Sequence, residues 1–460
     1  MRVLIRWMVF VSVVAFAVPA SADIPSGWTS SGRTPAWIDD FDGGGSDLEH
    51  ADDVAVSPSG QRIFVTGGSV WAGGGLDWVT MAFARDGTRL WTARLEPSPG
   101  LEGEFARSIV TGPGGRVFVT GEAITPEQDE RGVTVAYDAR TGDRLWVRTY
   151  PRPDPEAVAD YAYAAGIALS PSGRRVFVAG TRYVAMPDDP SMETRYAVWA
   201  YRAWDGEPLW ATVVDRGAGG QTVNAMTIDP EGRFVLTAGE SGSGFGVLAL
   251  RTGDGSVGWF RRYDVKGFQN GVAIAASTRQ VFVSGYDRMA TATVAYGLEN
   301  GRERWVAPFG VDAESGGAQP QGIAVSPDGT TVAITGFRDD RPTGDQELAT
   351  AAYAAWTGVE RWTVRDRGSS GFAGGGDVVI PATGDRVIVT GYSRIEGIVT
   401  AAYAIGDGTE LWRGTAKDGE AGRDGGAAVA ADPAGMRVYL VAITTGGKDG
   451  QDFATLAYDA

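Results

Sequence analysis

Apolar and polar residues alternate along this chain in short bursts, and the bursts recur. From Asp53 the sequence reads DVAVSPSGQRIFVTG, with Val54 and Val56 two apart, a Ser-Pro-Ser-Gly break, and Ile63 and Val65 two apart. After a variable stretch, DWVTMAFARDGTRLW ends at Trp91. Period-two alternation marks a strand with one buried face, and the Ser/Pro/Gly/Asp clusters between bursts are turn formers. Each unit therefore predicts four short antiparallel strands. Later units repeat the first half as GIALSPSGRRVFVAG to Gly180, GIAVSPDGTTVAITG to Gly336 and DVVIPATGDRVIVTG to Gly391. The strand-end position recurs at Gly67, Gly121, Gly180, Gly239, Gly285, Gly336, Gly391 and, as alanine, Ala442. A tryptophan closes the second half at Trp91, Trp146, Trp210, Trp259, Trp305, Trp362 and Trp412. Four strands in a unit of roughly fifty residues predict a propeller blade rather than a helical solenoid.

Eight strand-end positions stand against seven tryptophans, and the two ends of the chain account for the difference. The sequence stops at Ala457-Tyr458-Asp459-Ala460, the same AYDA that precedes the turn at Ala136 to Ala139, so the last unit lacks its outermost strand. Ala36-Trp37-Ile38-Asp39-Asp40 has the composition of that strand. The expected fold is all-β: an eight-bladed β-propeller of four-stranded antiparallel blades, closed by an N-terminal strand pairing with the C-terminal blade, which removes two open sheet edges. The expected organisation is a signal peptide over 1–22, a linker over 23–35 and one propeller domain over 36–460. The tryptophan set Trp37, Trp91, Trp146, Trp210, Trp259, Trp305, Trp362 and Trp412 is expected to dock neighbouring blades, because a residue repeated round a whole ring cannot all face one site.

The segment Ala136-Tyr137-Asp138-Ala139-Arg140-Thr141-Gly142-Asp143-Arg144-Leu145-Trp146 resembles the tryptophan-docking motif of PQQ-like (quinoprotein-type) propellers, A-x-D-x-x-T-G-x-x-x-W. The run DVAVSPSGQRIFVTG also resembles the short propeller repeats of bacterial exported proteins. The resemblance implies a propeller and two kinds of function. Quinone-dependent dehydrogenases of this superfamily use PQQ with a bound Ca²⁺, and many place a disulfide of adjacent cysteines against the quinone. Other members, such as an exported lipoprotein that assists outer-membrane barrel assembly, use the scaffold as a binding platform. This chain has no cysteine, so it forms neither that disulfide nor a lipid-modified N-terminal Cys.

Composition narrows the field further. Arg2 and Arg6 precede an apolar run from Trp7 to Val18 and the small-residue stretch Pro19-Ala20-Ser21-Ala22, which predicts a secretory signal cleaved near Ala22 and a secreted or extracytoplasmic protein. No second run of spanning length follows, so no membrane insertion is expected. The net charge of −16 disfavours nucleic acid and anionic lipid, whose binding relies on Lys and Arg. The absence of cysteine excludes thiol nucleophiles and zinc-thiolate sites, and His50, the single histidine, limits any Ser-His-Asp arrangement to one built on it.

Strand parity sorts the loops. The first-to-second strand turns are uniformly short, whereas the long variable loops share the opposite face, where binding residues concentrate on a rigid scaffold. Aligning the units on the strand-end glycine brings Asp52 and Asp53, Arg107, Gly166, Asn224, Asn270, Gln321, Gly376 and Asp377, and Ala427 to the channel mouth on that face. Asp53 and Asp377 would supply hard oxygen ligands for Ca²⁺ or polar ligand contacts, with Arg107 as an anion contact; the alternative is a wet channel whose polar groups satisfy one another. The Asp-rich stretches Asp40 to Asp53 and Lys417 to Asp424 are either Ca²⁺ loops, though without the D-x-D-x-D-G pattern, or solvated loops. Trp71, Trp78, Trp199, Trp204 and Trp356 lie outside the docking register and are either core or aromatic platforms for sugar or protein. His50 beside Asp52 is either a base or a solvated loop histidine.

The sequence expectation is thus an exported, non-catalytic, monomeric binding or protein-interaction scaffold with no cofactor, taking an extracellular protein or a small-molecule or carbohydrate ligand. The alternative is a PQQ/Ca²⁺-dependent oxidoreductase, or another propeller enzyme with its site at the channel mouth.

Overall fold

The computed structural model describes residues 24–43, 49–71, 75–95, 104–124, 130–150, 159–186, 189–215, 220–242, 244–264, 273–286, 291–309, 318–339, 346–366, 373–419, 425–444 and 451–460. The expected signal peptide, Asn270, residues 44–48 of the Asp40 to Asp53 stretch and residues 420–424 of the Lys417 to Asp424 stretch lie outside these residues.

The chain folds into eight antiparallel sheets arranged as an eight-bladed propeller. Blades 1 to 6 run over 50–95, 104–149, 159–214, 221–264, 273–308 and 319–366, and each is a simple meander of four strands. The first strand of every blade touches the first strands of both neighbours, so these eight strands form the wall of a central channel. The second and third strands are buried almost throughout, as in the pattern iBBBBBBBi for Arg116–Ile124, because both of their faces meet another blade.

Two strands at the N-terminus finish the ring. β1 (Trp28–Gly32) pairs antiparallel with the outer strand Glu410–Asp418 of blade 7, and β2 (Trp37–Phe41) pairs with Asp452–Asp459 as the outermost strand of blade 8. Blade 7 therefore has five strands, and part of the segment expected as a linker is sheet. β1 buries one residue, Trp28, against Ile398 and Ala416, and leaves its other four exposed. With a single inward residue it shows no alternation by which a strand is recognised.

The tryptophans hold blade to blade. Each indole N–H reaches a main-chain carbonyl in the turn before the next blade's outer strand: Trp37 to Arg85 (3.1 Å), Trp91 to Ala139 (3.2 Å), Trp146 to Ala203 (3.2 Å), Trp210 to Thr252 (3.1 Å), Trp259 to Leu298 (2.7 Å), Trp305 to Ala355 (2.8 Å) and Trp362 to Ile405 (2.9 Å). Trp412 differs. Its ring stacks on Tyr458 at 5.8 Å and carries the Arg33 guanidinium at 5.0 Å, while its N–H finds no partner.

Candidate functional site

The channel mouth is shaped by a defect repeated, among the described residues, in every blade but the fifth, whose inner strand is described only from Ala273. In seven of the eight innermost strands the pairing register slips by one residue, leaving Asp52, Arg107, Ala165, Asn224, Gln321, Gly376 and Ala427 as the extra residue of a β-bulge. A bulge re-aims its side chain and strengthens the local twist. Arg107, Asn224 and Gln321 are exposed there, Asp52 is half-buried, and blades 3, 7 and 8 offer only Ala165, Gly376 and Ala427.

The ring expected from the sequence thus resolves into two. The residue after each bulge faces sideways into the next blade. A Cβ at Gly322 would stand 2.8 Å from Asp377 Oδ1, and one at Gly166 would stand 2.8 Å from Met226 Cγ. Gly166 belongs with Asp53 and Asp377 in this second ring, and the bulged residue of blade 3 is Ala165.

Asp53 and Asp377 use that sideways direction as clasps. Asp53 Oδ2 accepts from the Ile109 amide and the Ser108 hydroxyl of blade 2, both at 2.9 Å, while Oδ1 accepts from the Val54 amide at 2.8 Å. Asp377 repeats the geometry one blade short of closure: Oδ2 accepts from Val429 N at 3.1 Å and Oδ1 from Val378 N at 2.8 Å. Burial pushes Asp53 up to about 7 despite these donors, with the Asp377 charge adding in the same direction; burial also pushes Asp377 up to about 6.

Blades 1 and 2 carry the charged side of the mouth. His50 Nε2 lies 3.2 Å from Asp52 Oδ2, and Arg107 pairs with the buried Glu122 at 3.4 Å. The Phe105 ring stands between the pairs, 6.3 Å from the His50 ring and 5.9 Å from the Arg107 guanidinium.

At the outer rim, the closure of the ring brings the two Asp-rich stretches together. Asp40 of β2, Asp418 at the end of blade 7 and Asp452 at the start of the third strand of blade 8 place one carboxylate oxygen each within 4.8 Å of one another. Asp40 Oδ2 accepts from the Trp28 indole at 3.1 Å, and its Oδ1 is buried without a partner. Burial, with Asp40, Asp42, Glu49 and Asp418 nearby, pushes Asp452 up to about 6. Three convergent carboxylates are a donor set for a hard divalent cation. The sequence marks the stretches that hold Asp40 and Asp418 as separate candidate Ca²⁺ loops, but not their meeting or the part of Asp452, since the three lie near opposite ends of the chain.

The tryptophans outside the docking register divide. Trp78 is fully buried and donates to Thr80 Oγ1 at 3.2 Å, and Trp199 stacks on Tyr150 with centroids 4.1 Å apart. Trp204 and Trp356 stand in turns on the short-turn face, 62% and 54% exposed. The Trp71 side chain lies outside the described residues.

Repeated meander blades, indole clasps and a ring of bulged inner strands define a tryptophan-docked β-propeller of the PQQ-like class. The family model described as outer membrane protein assembly factor BamB, a PQQ-like repeat, matches residues 77–263 and, in an overlapping second placement, 130–315, together more than half of the chain. The chain belongs to this PQQ-like propeller family. Comparison with curated protein sequences yields no match. Among solved structures, the chain is similar to a europium-containing methanol dehydrogenase (13% identity, 93% of each chain covered, TM-score 0.56). It is also similar to Sqt1 of Chaetomium thermophilum, bound to the N-terminus of the ribosomal protein L10 (12% identity, 92% of this chain and 98% of that one, TM-score 0.59). BamB from Moraxella catarrhalis matches at 14% identity over 89% of this chain and 100% of that one, with a TM-score of 0.50. At such identities the likeness is one of fold, and the fold serves enzymes and binding proteins alike.

A Ca²⁺–quinone centre needs several oxygen donors converging on one point. Among the described residues the only convergent acidic group is the one at the outer rim, and both channel carboxylates already serve main-chain N–H groups. The described residues at the channel mouth do not fit such a centre.

Proposed function

We propose that this protein is an extracytoplasmic binding scaffold, presenting the channel mouth and its long-loop face to an extracellular protein or a small-molecule or carbohydrate ligand without acting chemically on it. The observation that carries this reading is the commitment of Asp53 and Asp377 to neighbouring blades. The best candidates for ligating or acid-base carboxylates in the channel hold the ring together, and the side chains left facing the mouth include Arg107, Asn224 and Gln321. Such a mixture recognises; among the described residues it contains no activated nucleophile beside a base. The N-terminal charge-then-apolar pattern supports an address outside the cytoplasm.

The test has two arms. The full chain is incubated with PQQ and Ca²⁺ and assayed for dye reduction with alcohols and sugars, where no saturable activity is expected; activity that appears overturns the reading. In parallel, the triple variant Arg107→Ala, Asn224→Ala, Gln321→Ala, altered only at exposed bulges, is compared with the unaltered protein for retention of components of the extracellular fraction. Loss of one retained species in the variant is expected, and identical retention overturns the channel mouth as the site.

A further inference from the structure

Structural positions recur from blade to blade, so equivalent positions can be set side by side. Two inter-blade recesses open on the short-turn face, opposite the channel mouth. One lies between blades 1 and 2, has a volume of about 550 Å³, and is lined by Pro58, Ala84, Leu90, Pro113 and Ala139, among others. The other lies under blade 5, has about 570 Å³, and includes the equivalent positions with different chemistry. Where the first has Ala84, the second has Gly297; where the first has Leu90, the second has Arg304; and beside the position of Ala139, blade 6 contributes Trp356.

Leu90 and Arg304 are equivalent for a physical reason. Each precedes a docking tryptophan at the point where the outer strand slips register against the third strand, between Ala82/Phe83 in blade 1 and Ala295/Tyr296 in blade 5. The bulge turns that side chain away from the sheet. Gly297 then makes room for it, since a Cβ at 297 would stand 3.0 Å from Asn300 Oδ1 and 3.1 Å from an Arg304 terminal nitrogen.

The charges in this recess sort into used and available. Arg233 is taken by Asp229 and Glu231, each at 3.1 Å, and by Glu299. Arg279 and Arg304 have no ion-pair partner among the described residues; Arg279 sits 5.9 Å from the centroid of the exposed Trp356 ring. Two guanidinium groups without an ion pair thus stand beside an exposed indole in a chain of net charge −16.

We propose that this recess binds an acidic saccharide, one carrying a uronate carboxylate. Arg279 and Arg304 match a carboxylate as planar donors, Glu231 and Glu299 accept from sugar hydroxyls, and Trp356 offers a flat apolar face for the C–H side of a pyranose ring. A bare phosphate dianion would bring a like charge against the two glutamates, and a neutral sugar would leave the two arginines unused. The site is independent of the channel mouth.

The experiment is calorimetric titration of the full chain with trigalacturonic acid and, separately, with the neutral trisaccharide maltotriose, at low and high salt. Saturable binding of the acidic sugar is expected, weakened by salt and weakened roughly tenfold or more in each of Trp356→Ala, Arg304→Gln and Arg279→Gln, all at surface positions. Trp204→Ala removes an equally exposed turn tryptophan on blade 3, and Asn224→Ala alters the channel mouth; both should bind like the unaltered protein. Absence of saturable binding overturns the proposal. So does equal affinity for maltotriose, or an equal loss in Trp204→Ala; a loss in Asn224→Ala alone moves the sugar to the channel mouth.

Discussion

The indole of Trp146 covers Gly206 so closely that a Cβ built on the glycine would stand 2.7 Å from the ring's Cδ2. The glycine is at φ 71°, in the turn of the next blade whose Ala203 carbonyl receives the Trp146 N–H. One residue thus meets two demands, a left-handed backbone and a bare face for the ring. The pair recurs as Trp91 on Gly142, Trp210 on Gly255, Trp305 on Gly358 and Trp362 on Gly408. Blade docking therefore couples each outer strand to the following blade's turn, so the ring is assembled by contacts between sequence neighbours.

Gly206→Ala should consequently destabilise the fold by about 2–4 kcal/mol, combining left-handed strain with a clash against an aromatic ring. Gly406→Ala, in a turn where a new Cβ meets nothing within 4 Å, is the control and should be close to neutral. Denaturant midpoints of the two variants decide the matter. Equal midpoints would show that the indole does not depend on a bare glycine.

Stability should rise on mild acidification. Asp53, Asp377 and Asp452 are pushed up to about 7, 6 and 6, above the usual carboxylate value of 3.8. Between those values the folded state holds protons that the unfolded chain has released. The associated stability is complete below the unfolded value and is lost as pH climbs through about 6 to 7. The melting temperature should therefore increase from slightly alkaline to mildly acidic pH. Asp452→Asn removes one charge from the rim group that includes Asp40 and Asp418, so it should raise the melting temperature at alkaline pH and flatten the profile. A profile that falls on acidification, or an unchanged slope in the variant, contradicts this.

The parts of the architecture that were legible in the sequence are those with local causes. Alternation gave the strands, Ser-Pro-Ser-Gly and Asp-Gly gave the turns, and the tryptophan shortage pointed to the Trp37 strand because it carries the docking tryptophan that the last unit lacks. β1 escaped notice since Trp28 alone points inward. The bulges escaped for a different reason: an inserted residue such as Asn224 or Gln321 breaks the alternation without any signature of its own, so the channel ring and the clasp ring were read as one. The clasps of Asp53 and Asp377, and the meeting of Asp40, Asp418 and Asp452, depend on which blades become neighbours, and composition does not carry that.

Gln280 shows what a departure from the repeat costs. It opens the second strand of blade 5, where blades 1, 2, 3, 7 and 8 have Arg62, Arg116, Arg175, Arg386 and Arg437. An arginine extends its head to solvent from such a position, but Gln280 is 1% exposed, and neither Oε1 nor Nε2 has a hydrogen-bond partner. A buried amide without partners loses its hydration and gains nothing in exchange, a cost of about 1–3 kcal/mol. Its cross-strand partner is Gly297, so the side chain next to it on the sheet is absent as well. Methionine has nearly the same length and shape and needs no partner. Gln280→Met should therefore stabilise the protein by about 1–2 kcal/mol in denaturant titration, while Gln280→Ala, which leaves a void, should not. A destabilised Gln280→Met would mean that bound water satisfies the amide and that the position is a wet polar site beneath the Arg304 recess.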